Sequence, residues 1–188
     1  MALYWYVESK EDVFDLMVDA VYAEMAFPLP SSESWRTDCM MLATQVRKVM
    51  RSHPWLASLS SNRPLLGPNA LKLHEYLLVT LSALALDKSM TLAIAEMIGV
   101  YVRGFVQKEL GEAGARRRSG LSEDEWRASV APYIQKQVIE SPYYPHLAQF
   151  FLHAQEWDDD KRFTFGLTCL LDGVVTQVLQ AREKEQDQ

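Results

Sequence analysis

Apolar side chains recur at intervals of three and four residues along most of the chain, which is the spacing of one face of an α-helix. No segment shows the alternation of apolar and polar residues that is typical of a β-strand. The pattern therefore predicts an all-α protein. We predict helices over residues 9–26, 34–52, 69–86, 88–110, 122–141, 145–155 and 158–181.

Local sequence signals mark two helix starts and one loop. Ser9 is followed three residues later by Asp12, and Ser122 by Glu125. At this spacing the hydroxyl and the carboxylate can each accept a hydrogen bond from a free backbone N–H, so both serines are predicted to cap helices. Residues 111–121 contain three glycines and three consecutive arginines, and we predict an exposed loop there.

The first and the last predicted helices carry more apolar surface than one packing face needs. The helix at 9–26 is apolar on two sides, which is typical of a helix held between two neighbours. The helix at 158–181 is wide enough on its apolar side to predict a homodimer. We assign its main stripe to the dimer interface: Phe163, Leu167, Leu170, Val174 and Val178.

Composition narrows the class of protein. Hydrophobic residues make up 48% and charged residues 23% of the chain, the balance of a soluble globular protein. The net charge of −6 argues against non-specific binding to nucleic acid. Cys39 and Cys169 lie in apolar helical patterns and are predicted to be buried free thiols, as in a reducing cytoplasm. We see no secretory signal and no apolar run long enough to span a membrane.

Two segments resemble a known family. The stretch Leu3-Tyr4-Trp5-Tyr6-Val7, followed by Lys10 and Val13, resembles the junction in TetR-type regulators between the recognition helix and the first helix of the ligand-binding domain. Residues 163–173 resemble the last helix of the C-terminal domain in the tetracycline repressor branch of that family. The resemblance covers the whole chain in the right order.

The resemblance implies a ligand-responsive transcriptional regulator, most often a repressor. Residues 9–188 would form the ligand-binding and dimerisation domain, and residues 1–8 would be a remnant of the recognition helix, with most of the DNA-binding domain missing. Helices 88–110 and 158–181 would form a four-helix bundle in a homodimer. Tyr4, Tyr6 and Lys10 would contact the DNA backbone in the complete protein only, so operator DNA is a partner only if the missing helices are present.

A ligand pocket is predicted between the helices at 33–52, 69–86 and 88–110. These helices are rich in methionine and aromatic side chains, which line pockets that adapt to a guest. The alternative is that the same side chains simply fill the core. The residues we assign to a small, largely apolar effector are Trp55, His74, Leu78, Met97 and Tyr101, with His74 or Tyr101 supplying an orienting hydrogen bond.

No catalytic or metal-binding constellation stands out. His146 and His153 share a helix face, but no further ligands are spaced to converge on them, so we expect neither a metal nor a cofactor. The absence of a nucleophile–base pattern argues against an enzyme. The remaining alternative is a stand-alone dimer that binds a small molecule without binding DNA. In either case we expect a cytoplasmic protein that does not associate with membranes.

Overall fold

The computed structural model describes residues 9–27, 34–58 and 66–186, with side chains as far as residue 180. Every regular element in these ranges is helical, so the all-α prediction is confirmed for this part of the chain. The helices are α1 Lys10–Tyr22, α2 Trp35–Ser52, α3 Pro54–Ser58, α4 Pro68–Ser82, α5 Lys88–Ser119, α6 Glu123–Ile134, α7 Pro145–His153 and α8 Asp159–Gln186, with a π-helical turn over Gln135–Ile139.

Both predicted capping boxes form. The Ser9 hydroxyl accepts from the Asp12 N–H at 3.1 Å, while the Asp12 carboxylate accepts from the Ser9 N–H at 2.9 Å. Ser122 and Glu125 repeat this exchange at the start of α6, at 3.2 and 2.8 Å. The backbone and side-chain hydrogen bonds from Ser122 lower the pKa of the Glu125 carboxyl. The two serines therefore fix the starts of α1 and α6.

The predicted loop at 111–121 is wrong, because α5 continues to Ser119. Alanine, glutamate and arginine between the glycines favour a helix, and three arginines in its last turn interact well with the negative end of the helix dipole. A Cβ on Gly111 would meet no atom within 4 Å, so that glycine marks no close approach. Gly120 follows the last helical residue and adopts the left-handed conformation, at φ +68°, that ends the helix. At the other end of the chain, α1 stops at Tyr22 rather than at residue 26.

One compact unit comprises the described residues up to 107 and from 163 onward. In it α4 packs against α1 and α2, and α3 packs against α2. The amide of Gln107 on α5 donates to the carbonyl of Ala57 on α3 at 2.9 Å. The centre of the unit is formed by fully buried side chains of α2, α4, α5 and α8: Cys39, Leu81, Val102, Val106, Phe163, Leu167 and Leu171.

The second compact unit comprises residues 108–162. Within it, Arg127 on α6 forms ion pairs with Glu123 and with Glu156. Pro132 lies inside α6, and the wider π-helical turn follows it. Few side chains of this unit are buried, and α6 buries none. Large apolar side chains are instead exposed along α6 and α7: Trp126, Tyr133, Leu147, Phe150, Phe151 and Leu152.

Candidate effector-binding and coupling site

A buried carboxylate joins α1 to the start of α4. Asp19 accepts hydrogen bonds from the backbone N–H groups of Asn69 at 2.8 Å and Ala70 at 3.0 Å, and from the side-chain amide of Asn69 at 2.8 Å. Free N–H groups and the positive end of the helix dipole make a helix start favourable for an anion. A Cβ on Gly67 would lie 2.2 Å from the carboxylate, so glycine leaves the room for this contact. Asp19 thereby caps α4 from another helix.

An aromatic cluster joins α2, α5 and α8. The buried guanidinium of Arg47 lies 4.6 Å from the ring centroid of Phe163 and 5.4 Å from that of Phe105. Tyr101 packs beside both rings, and its hydroxyl donates to the carbonyl of Phe163 at 2.8 Å. Burial raises the pKa of the Tyr101 hydroxyl, which keeps it protonated as a donor. Cation–π contacts of this kind stabilise a desolvated arginine by about 2 kcal/mol.

Gly166 sets how closely α5 and α8 approach at this cluster. A Cβ at that position would lie 2.4 Å from the Tyr101 hydroxyl oxygen and 3.0 Å from two carbons of its ring. The glycine at this position therefore permits the close packing of the two helices. Gly173, further along α8, has no such role within the described part of the chain, where a Cβ on it would meet no atom within 4 Å.

Two hydroxyls on α4 are buried without a hydrogen-bond partner among the described residues. They belong to Tyr76 and Thr80, whose side chains are 6% and 3% exposed. Leaving a buried hydroxyl unsatisfied costs about 1–3 kcal/mol. Burial raises the pKa of Tyr76, and the neighbouring Asp38 and Cys39 raise it further. Burial, with a contribution from Asp38, also raises the pKa of the Cys39 thiol to about 12.

The five residues assigned to the ligand lie in different surroundings. Trp55 is half-buried with its ring edge-on to His53, and Leu78 is half-buried on α4. His74 is exposed, and its Nδ1–H donates to the carbonyl of Ala70 in its own helix at 2.8 Å. Met97 is exposed on α5, one turn before the half-buried Tyr101.

The structure corrects the choice of polar anchor. Tyr101 uses its only proton on the Phe163 carbonyl, so it is not free to donate to a ligand. His74 has one ring nitrogen engaged with its own helix and keeps the other. Tyr76 and Thr80 were not among the residues assigned to the ligand, because a tyrosine and a threonine in an apolar helix carry no sign of whether their hydroxyls find partners.

The predicted dimer-facing stripe of α8 requires a larger correction. Phe163, Leu167, Val174 and Val178 are 2, 0, 2 and 5% exposed within the single chain, so they belong to its own core and have no surface to offer a partner. Leu170 is half-buried. As far as residue 180, the large exposed apolar residues of these two helices are Leu92, Met97 and Val100 on α5 and Phe165 and Leu179 on α8.

The cysteines and the predicted DNA contacts complete the comparison with the sequence. Cys39 is buried as expected, but Cys169 is exposed on α8. Lys10 lies in the first turn of α1 with its ammonium 5.4 Å from the ring centroid of Phe14. Tyr4 and Tyr6 lie outside the described residues.

The described residues hold no candidate metal cluster, but they include two helices long enough to span a membrane. Among the described residues, no group of three or more histidine, cysteine, aspartate or glutamate side chains is placed to hold a metal ion. The helices Lys88–Ser119 and Asp159–Gln180 are long and apolar enough to cross a membrane by length and composition, which is weak support because core helices of soluble proteins pass the same test.

The chain is similar to known regulators. The model of the tetracyclin repressor-like C-terminal domain matches residues 27–178. An HTH-type transcriptional regulator of Saccharopolyspora erythraea is 41% identical over 70% of this chain and 57% of its own length. An HTH-type transcriptional repressor of Streptomyces coeruleorubidus is 35% identical over 97% of this chain and 67% of its own length. The chain thus spans a little over half of one relative and two thirds of the other.

Solved structures share the fold. The TetR family protein ActR of Streptomyces coelicolor, in complex with actinorhodin, superposes with a TM-score of 0.77 at 20% identity, over 94% of this chain and 81% of that one. Another TetR regulator from the same organism gives a TM-score of 0.68 at 21% identity, over 93% and 81% of the two chains.

Proposed function

The chain belongs to the TetR family, within the group defined by the tetracyclin repressor-like C-terminal domain, and on that basis we propose that it is the effector-binding and dimerisation part of a ligand-responsive transcriptional repressor. The relatives named as regulators and repressors extend well beyond the matched region. DNA binding therefore belongs to the whole protein, where Tyr4, Tyr6 and Lys10 would contact the DNA backbone.

The observation that carries the proposal is the cap that Asp19 forms on α4. Lys10 stands at the start of α1 and Asp19 near its end, so one helix bears both the proposed DNA contact and the link to α4. His74 and Leu78, two of the proposed ligand contacts, lie on α4. A displacement of α4 by a ligand therefore reaches α1 through hydrogen bonds to a buried carboxylate, without a flexible connection between them.

The effector is a small, largely apolar molecule. His74 is exposed although Ala70, Leu77 and Leu81, on the same side of α4, are buried. His74 therefore faces solvent in the single chain, and its contact with a ligand stays a prediction from the sequence. Trp55, Leu78 and Met97 would supply apolar surface. ActR, with the same fold, is seen in complex with actinorhodin, which supports an effector for this chain as well.

The exposed faces of α5 and α8 support the proposed homodimer. Val100 and Phe165 are 58 and 56% exposed within the single chain. Two such helices from each subunit can bury these faces in a four-helix bundle. This interface explains the apolar composition of both helices without a membrane, and it is consistent with a cytoplasmic protein.

The test compares this chain with the whole protein. The DNA immediately upstream should encode a helix-turn-helix, and the protein translated from that longer frame should shift a palindromic fragment of its own promoter at physiological salt. Scrambling the palindrome should abolish the shift, and this chain alone should give none, because it carries a net charge of −6. An upstream sequence without a helix-turn-helix would favour the stand-alone small-molecule-binding dimer.

A further inference from the structure

Tyr76 and Thr80 place two hydroxyls one helical turn apart on the same face of α4. Both side chains are more than nine-tenths buried, and neither hydroxyl oxygen has a hydrogen-bond partner within residues 9–27, 34–58 and 66–186. Buried hydroxyls in native proteins are almost always hydrogen-bonded to protein, water or ligand. Two adjacent exceptions on one face therefore indicate a site for a polar atom from outside the chain.

Thr80 also differs from four other helical threonines. Each of these four donates its hydroxyl proton to the carbonyl four residues earlier, at 2.8–3.2 Å: Thr44, Thr91, Thr168 and Thr176. This bond within the helix is the usual way for a threonine to be satisfied. Thr80 does not make it, so its proton remains available to another acceptor.

The surroundings of Tyr76 select the chemistry of that acceptor. Its pKa is raised by burial and by Asp38 and Cys39, so the phenol stays protonated and can donate. Asp38 brings a carboxylate to the same region, which disfavours an anionic guest. The ring of Phe27 lies 5.7 Å from the ring of Tyr76, so an apolar surface adjoins the hydroxyl.

We propose that Tyr76 and Thr80, rather than His74, form the polar end of the effector site and donate hydrogen bonds to a neutral carbonyl oxygen on an otherwise apolar ligand. The two hydroxyls lie on the opposite side of α4 from His74 and Leu78, so this ligand replaces those two contacts with contacts on the buried side of the helix. A carbonyl oxygen has two lone pairs and accepts from two donors. It carries no charge to be repelled by Asp38. The inference rests on the proposed effector-binding function and adds the chemical group that the site recognises.

The test uses two probes of nearly the same shape, 9-fluorenone and fluorene, which differ by one carbonyl. Titration calorimetry with the full 188-residue chain should show tighter binding of fluorenone by about tenfold, equivalent to about 1.4 kcal/mol. Tyr76→Phe and Thr80→Val should each reduce this preference, and the double variant should abolish it. Binding of fluorene should be unchanged in all three variants.

Thr91→Val is the matched control, because Thr91 is a buried helical threonine whose hydroxyl is already bonded to Asp87. It should keep the preference of the wild type. Thermal unfolding without ligand gives an independent readout: Thr80→Val should not lower the Tm, since it removes an unpaired polar group, whereas a fall would mean that Thr80 is satisfied inside the chain and would overturn the inference.

The possible failures are distinguishable. Equal binding of the two probes by the wild type, or an unchanged preference in the double variant, overturns the carbonyl site but leaves effector binding in place. No binding of either probe contradicts the apolar effector pocket and the carbonyl site together. A crystal structure with fluorenone bound, in which the two hydroxyls contact only a retained water, would assign them to an internal water and overturn the inference.

Discussion

Asp19 and Asn69 are joined by three hydrogen bonds across 50 residues of sequence. The backbone N–H of Asn69 donates to one carboxylate oxygen of Asp19 at 2.8 Å, and the side-chain amide of Asn69 donates to the other at 2.8 Å. The same amide also donates to the backbone carbonyl of Asp19 at 3.3 Å. Both carboxylate oxygens are therefore engaged with the first turn of α4. This makes the pair the fixed point between α1 and α4.

Removing the Asp19 carboxylate is expected to lower the free energy of unfolding. Asp19→Ala leaves the first N–H groups of α4 without their acceptor, and the loss of a helix cap costs about 0.5–2 kcal/mol. Urea denaturation measures the change. Asp15→Ala, on the same helix and half-buried, is the control and should change the stability by no more than about 0.5 kcal/mol. Equal effects of the two substitutions would contradict the cap.

Gly166→Ala is expected to destabilise the chain by about 1–3 kcal/mol, because the added methyl group would overlap the Tyr101 hydroxyl in a packed interior. Gly111→Ala is the control. It places the same methyl group in open space within a helix and should stabilise the chain by about 0.5–1 kcal/mol. Thermal unfolding of both variants provides the comparison, and a loss of stability with Gly111→Ala would contradict the extended α5.

A double-mutant cycle tests whether the clash with Tyr101 causes the loss of stability in Gly166→Ala. If the clash with Tyr101 is responsible, Gly166→Ala combined with Tyr101→Leu should cost less than the sum of the two single substitutions, by about 1 kcal/mol. Strict additivity would show that the alanine acts through some other contact.

Local sequence signals were sufficient for much of the fold. The capping boxes at Ser9 and Ser122 were predictable, since each is complete within four residues. The end of α5 was not predictable in this way, because glycines ordinarily weaken a helix, whereas the helix-forming residues between the glycines of 111–121 extend α5 to Ser119. The stripe containing Leu167 was recognisable as apolar, but periodicity cannot distinguish a face that packs in its own core from one that meets a partner.

The candidate site was less accessible to sequence reasoning. The contact between Asp19 and Asn69 depends on how α1 and α4 pack, and neither residue departs from ordinary composition. The same holds for Tyr101, whose hydroxyl was a plausible ligand contact until the Phe163 carbonyl was seen to accept its proton. Such assignments depend on the partner of each polar atom, which only the packed helices define.

The dimer can be tested on the exposed faces of α5 and α8. Val100→Glu and Phe165→Glu should each yield a folded monomer, because a charge would be desolvated in the bundle but tolerated on a free surface. Light scattering measures the mass, and circular dichroism checks the fold. Leu71→Glu, exposed on α4, is the control and should remain a dimer. A dimer that survives both substitutions would place the interface elsewhere.

Leu167→Glu distinguishes an interface on the exposed faces of α5 and α8 from the interface predicted on the stripe that contains Leu167. Leu167 is fully buried in the chain's own core, so a glutamate there should unfold the chain rather than yield a folded monomer. A folded monomer would restore the stripe predicted from the sequence.

The two thiols should differ in reactivity. Cys39 is inaccessible and its pKa of about 12 leaves almost no thiolate near neutral pH, so a thiol-specific disulfide reagent should not modify it until the chain unfolds. In the Cys169→Ser variant only Cys39 can react with the reagent, and in the Cys39→Ser variant only Cys169 can react. Rapid modification of native Cys169→Ser would contradict the buried position.

The same pKa has a consequence for alkaline stability. The unfolded thiol ionises at about 8.5, whereas the folded one holds its proton until about 12, so the folded state binds more protons in this window. The stability contributed by Cys39 is thus fully present below the unfolded pKa and is lost as the pH rises toward 12. Cys39→Ala should show a shallower loss of stability over the same range in urea titrations.

The contact between Gly166 and Tyr101 constrains the order in which the two positions can change during evolution. A larger residue at 166 meets the tyrosine ring at once, whereas a smaller residue at 101 leaves a gap that a later side chain at 166 can fill. The two positions are therefore coupled, and a change at one alters the cost of a change at the other. Related proteins that have lost this glycine should carry a residue smaller than tyrosine at the facing position.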